Sequence, residues 1–138
     1  MTVLVAYDGS DPAYKAVEYA LDEHSDEEVV LLRVVELASG ATEAGIELAR
    51  ESIRKRRKEA ENKTANQLDD LIDASNSEVT LETVIGDPED EIIQYAESNE
   101  IDHIIIGSHG RKGMTRVLLG SVAEDVVRRA PCPVTVVR

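Results

Sequence analysis

Along the chain, short runs of β-branched and aliphatic residues alternate with stretches whose apolar residues recur every three or four positions. That alternation predicts an α/β fold, a parallel sheet with helices on both faces. The first strand is expected over Thr2–Tyr7. Ser10 or Asp11 then caps a helix with Pro12 in its first turn, where a missing N–H costs nothing. Its inward stripe is Ala13, Ala16, Val17, Ala20 and Leu21, an i, i+3, i+4, i+7, i+8 set. Glu28–Val35 is apolar almost without interruption, as a central parallel strand covered on both faces should be.

A small-residue loop, "LASGA", leads to the longest helix, roughly Thr42–Ala74. Ile46, Ala49, Ile53, Ala60, Leu68 and Leu71 mark its face, and Arg57 interrupts the stripe. The third strand is Val79–Ile85. "GDPED" then supplies a turn, an Asp87 cap, Pro88 at the first helical position and acids where the helix dipole favours them. That helix buries Ile92, Ile93 and Ala96 and ends near Ser98. His103–Ile106 is the fourth strand. A last helix, Ser121 to Ala130, is expected to bury Val122, Ala123, Val126, Val127 and Ala130, and Val134–Val137 is a fifth strand.

With 138 residues this pattern fits one domain, and no internal repeat or linker interrupts it. The absence of Phe and Trp makes the core aliphatic. No apolar run approaches the roughly 20 residues of a membrane span, and "MTVLVAYDGS" lacks the basic start of a secretory signal. Cys132 is the single cysteine, so no internal disulfide can form, which suits a reducing cytoplasm. The formal net charge of −13 opposes general binding to nucleic acid or an anionic membrane. Such an acid-rich, lysine-poor surface resembles that of cytosolic proteins from salt-accumulating microbes. One Cys and three scattered His offer no dedicated metal site. "RKRRK" at 54–58 is flanked by acids and reads as a solvated helix face.

Against that acidic background, "GSHGRKGMTRVLLGS" (107–121) holds four of the eight glycines, three bases and no acid. In open α/β sheets, ligands bind beyond the carboxyl ends of strands where the winding reverses. Asp8-Gly9-Ser10 after the first strand and Gly107–Ser121 after the fourth are the two loops with suitable chemistry. Gly110 can let backbone approach a ligand, and Gly120-Ser121 opens a helix with unpaired N–H groups, a hydroxyl and the positive dipole end. Arg111, Lys112 and Arg116 add positive charge. Neither a P-loop nor a dinucleotide-binding glycine pattern is present.

The spacing Gly107, two residues, Gly110, nine residues, Gly120-Ser121 resembles the G-x2-G-x9-G-[ST] signature of the ATP-binding branch of the universal stress protein (UspA) family. "VLVAYDGSDPAYKAVEYA", "VVLLRVVE", "IDHIIIGSHG" and "LLGSVAEDVVRRAPCPVTVVR" resemble the family's other segments in the right order, so the likeness runs the length of the chain. It implies a single three-layer domain with a five-stranded parallel sheet in order 3-2-1-4-5, of the adenine nucleotide alpha-hydrolase-like kind. It further implies that Asp8 accepts from ribose hydroxyls, that Val34 lines the adenine pocket, and that Gly107, Gly110, Gly120, Ser121 and Val122 hold the phosphates. The implied ligand is ATP, with which Mg²⁺ can travel, and the implied assembly is a homodimer through the last strand, whose apolar edge no later helix covers. The segment after the second strand is shorter than the family's.

The expected function is therefore that of a cytosolic ATP-binding regulator of a stress response, in which ordering of loop 108–119 signals to a protein partner. A slow ATPase is the alternative; it would need a base to position water, and no residue stands out for that step. A phosphoreceiver would need paired acids after the first strand, where Asp8 stands alone.

Overall fold

The computed structural model describes residues 1–36, 50–108 and 120–138, with the side chains of 50–53 left aside. Its elements run β1 (Thr2–Tyr7), α1 (Asp11–Glu23), β2 (Glu28–Val35), α2 (Arg50–Asp73), β3 (Glu78–Ile85), α3 (Pro88–Ser98), β4 (His103–Gly107), α4 (Ser121–Arg129) and β5 (Val134–Val137). All strand pairs are parallel, in the order β3-β2-β1-β4-β5. Fold class and strand order are those the sequence implied.

Side chains alternate across the sheet and fill two separate cores. Val3, Val5, Tyr7, Val29, Leu31 and Ile105 meet α1 and Leu68 of α2 on one face. Leu4, Val30, Leu32, Ile104 and Ile106 meet Ile92, Ile93 and Ala96 of α3, and Ala123 and Val126 of α4, on the other. Burial on both faces is why β1, β2 and β4 read as nearly continuous apolar runs. Helix α1 buries Ala13, Ala16, Val17, Ala20 and Leu21, the expected stripe. Ser10 is its cap, its Oγ accepting from the Ala13 N–H at 3.3 Å.

Two local expectations change. Val127 is 45% exposed, because the short helix α4 turns only the Ala123/Val126 line onto the sheet. Asp87 stands at the N-cap of α3, but its side chain makes no capping hydrogen bond. The expected start of the long helix at Thr42, with Ile46, Ala49 and Ile53, lies outside the described residues. In the described part, Leu68 is fully buried, Ala60 and Leu71 are half-buried, and Arg57 points outward to pair with Glu61.

His24 and His103, distant in the sequence pattern, meet at the foot of the sheet with ring centroids 5.4 Å apart in an edge-on arrangement. His24 Nδ1 lies 2.6 Å from Glu27 Oε2, and His103 Nε2 lies 2.6 Å from Thr135 Oγ1 on the edge strand. Desolvation by burial and the facing His24 hold the His103 pKa below its ordinary 6.5, only partly offset by Glu27. A histidine depressed in the folded state binds fewer protons folded than unfolded, so stability rises with pH across its titration. Its contribution is complete above pH 6.5 and is lost as pH falls from there toward the folded-state value. Urea midpoints measured in small pH steps should therefore fall on acidification below that point, and His103→Gln should flatten that part of the profile.

Candidate functional site

The register of the central strands explains where a ligand could sit. β1 and β4 pair only over Val3↔His103, Leu4↔Ile104 and Val5↔Ile105. Beyond that the two strands part, while β4 stays paired with β5 as far as Gly107↔Val137. β2 meanwhile outruns β1: the last partners are Tyr7↔Arg33, so Val34 and Val35 have no β1 neighbour. The gap between the carboxyl ends of β1 and β4 becomes a cleft of about 740 Å³ with Ala6, Leu32 and Ile106 in its floor. That volume lies within the roughly 300–1,000 Å³ typical of small-molecule sites.

Asp8, Val34, Gly107, Gly120, Ser121 and Val122 all line this one cleft. Gly110 lies outside the described residues, as do His109, Arg111, Lys112, Gly113 and Arg116. Asp8 is exposed, and one of its carboxylate oxygens accepts from the Ser10 N–H at 2.9 Å, closing a turn. Gly9 completes that turn at φ 85°, a conformation that favours glycine. The two ends of the loop after β4 are tied together: Ser108 N–H donates to Val137 O at 2.8 Å, and Gly120 N–H donates to Ser108 O.

Gly120 is itself the N-cap of α4, so no side chain caps this helix. Ser121 is the first helical residue and does not act as the cap. The first-turn N–H groups, which no helix can satisfy internally, therefore open onto the cleft with the positive end of the dipole. Ser10 at the start of α1 and Pro88 at the start of α3 line the same cleft. Three helix N-termini converge on it.

Gly107 has a further, steric reason to be glycine. A Cβ there would lie 2.8 Å from the Pro12 backbone carbon and 2.9 Å from its Cβ and carbonyl oxygen. The first turn of α1 rests directly on the end of β4, and neither backbone can yield cheaply.

Sequence reasoning passed over the cations on the opposite wall. Arg33 projects from the carboxyl end of β2, its Cζ 5.9 Å from the centre of the buried Tyr7 ring, and Arg56 and Lys63 of α2 join it in the cleft lining. Arg56 is thus not merely part of a solvated run. Burial raises the pKa of the Tyr7 phenol above its usual 10.0, against the pull of Arg33, so it stays a donor and bonds Gln67 Oε1 at 2.9 Å. The available signal was a lone arginine inside the apolar run "VVLLRVVE", two residues from the end of a central strand.

The model of the universal stress protein family matches residues 1–138. The chain belongs to that family. A universal stress protein of Methanocaldococcus jannaschii is 32% identical over 141 residues, covering 99% of this chain and 81% of that protein. The solved UspA of Lactobacillus plantarum superposes with a TM-score of 0.84 at 27% identity, over 100% of this chain and 97% of that one. Two more distant members share the fold. A universal stress protein in complex with cAMP has 24% identity and a TM-score of 0.64, over 100% of this chain and 96% of that one. An Arabidopsis thaliana member with AMP bound has 23% identity and a TM-score of 0.60, over 99% of this chain and 90% of that one.

Gly107→Ala should cost about 1–3 kcal/mol, the usual range for forcing a methyl into packed structure, read as a lower urea midpoint at unchanged slope. Unaltered stability would mean that α1 does not rest on β4 in this way.

Proposed function

We propose that this protein is an ATP-binding regulator of a stress response, with the nucleotide held between the loops that follow β1 and β4. The observation that carries the reading is the uncapped N-terminus of α4 at the mouth of the β1–β4 cleft: a polarised set of free N–H groups suited to phosphate. In this reading Gly107, Gly110, Gly120, Ser121 and Val122 hold the phosphates, by backbone and, at Ser121, by hydroxyl. Asp8, with one oxygen occupied by its own turn, offers the other to a ribose hydroxyl. Val34 flanks the adenine, where the edge of β2 has no β1 partner. Relatives that hold AMP and cAMP support an adenosine ligand. Mg²⁺ would arrive with the triphosphate rather than through a dedicated protein site.

The reading places the protein in the cytoplasm, free of nucleic acid and membrane, and signalling to a protein partner. Among the described helices none is long and apolar enough to cross a membrane. The assembly proposed is a homodimer through β5, which among the described residues pairs only with β4 and whose four residues are all half-buried in the single chain.

Denaturing freshly purified protein and identifying released small molecules by mass spectrometry should yield an adenine nucleotide. Gly120→Val should abolish its retention and leave the circular dichroism spectrum unchanged, because φ −64° and ψ 161° are open to any L-residue while the side chain would obstruct the phosphates. Normal nucleotide retention by that variant would remove the loop assignment. In sedimentation equilibrium the protein should have the mass of two chains; a single-chain mass at micromolar concentration would rule out the dimer.

A further inference from the structure

The cationic wall opposite α4 is more than the triphosphate reading requires. Arg33 Nη1 is buried and has no hydrogen-bond partner among the described residues. A buried charged donor left without a partner is costly, and such groups persist where a ligand can satisfy them. The same nitrogen lies 3.1 Å from where a Cβ on Gly9 would stand, so the guanidinium sits against the turn that holds Asp8. Arg56 and Lys63, two helical turns apart on one face of α2, line the same cleft. Neither they nor Arg33 forms a salt bridge among the described residues, although the chain as a whole has nearly two acids for every base.

We propose that Arg33, supported by Arg56 and Lys63, forms a second anion subsite that receives a phosphate carried on the ribose 2′ or 3′ oxygen of the adenine nucleotide. The inference rests on the preceding reading, in which Asp8 faces the ribose. An acid beside a ribose selects its hydroxyls, and an arginine in that neighbourhood accommodates a phosphate there instead. This cleft has both, so one hydroxyl can bond Asp8 while a phosphate on the other meets the guanidinium fork, which matches phosphate geometry. The ligand class is a nucleoside bisphosphate, with its 5′ phosphate at α4 and its ribose phosphate at Arg33.

The test is Mg²⁺-free titration calorimetry of the full chain at fixed ionic strength with AMP, adenosine 2′,5′-bisphosphate and adenosine 3′,5′-bisphosphate. One bisphosphate should bind about tenfold or more tighter than AMP, the scale of a charge-assisted pair, and which of the two does so identifies the oxygen. In Arg33→Met, which keeps the stem over Tyr7, the ratio of the two affinities should fall to near one. Lys63→Gln, at an exposed position, should lower the ratio by a smaller factor. If AMP binds and neither bisphosphate binds tighter in the unmutated protein, the subsite is overturned and Arg33 is a packing partner of Tyr7 only. If none of the three binds, the adenine-nucleotide reading fails and this inference falls with it.

Discussion

The early parting of β1 and β4 is the constraint on which the rest of the site depends. Were the two strands paired to their ends, the sheet would be closed there and Ala6 and Ile106 would lie in its interior. Instead pairing stops at Val5↔Ile105, and the first turn of α1 lies across the end of β4 with Pro12 against Gly107. Because β4 remains bound to β5, the parting does not fray the sheet; it transfers the open edge to the floor of a cleft. The glycine at 107 is thus fixed by packing as well as by any ligand that approaches its backbone.

From that geometry follows the electrostatic character of the cleft. A chain carrying a formal charge of −13 gathers three cations on one wall and an uncapped helix N-terminus on the other. Helix dipoles act over about one turn, so they matter here because the α4 terminus stands at the cleft itself. The acids that share the lining, Asp8, Glu36 and Glu59, leave the site mixed in sign rather than uniformly positive. A ligand with both hydroxyl donors and anionic groups matches such a surface better than a simple polyanion would.

Much of the fold was legible because the sheet is buried on both faces. That condition forces β1, β2 and β4 into apolar runs whose ends can be read, and it forces α1 into the single stripe seen in the structure. Helix α4 was harder, since nine residues present too few turns to tell Val127 from its buried neighbours. Asp8, Gly107, Gly120 and Ser121 stood out because the switch-point rule names strand ends, and strand ends were readable; Val34 and Val122 came from the family resemblance, and all six line the one cleft. Contacts between segments far apart in the chain were not. Periodicity reports which face a residue occupies and not what stands opposite, so the His24–His103 pair and the Arg33, Arg56 and Lys63 wall emerged only from the structure.

The central claim, that an adenine nucleotide occupies the β1–β4 cleft, is tested most directly by adding ATP to isotopically labelled protein and following the backbone amide resonances. The account predicts saturable shifts concentrated at Asp8, Val34, Ser108, Gly120, Ser121 and Val122, with the foot of the sheet around His24 and His103 unmoved. Saturating ATP that leaves those cleft amides in place, or shifts a separate surface instead, would contradict it.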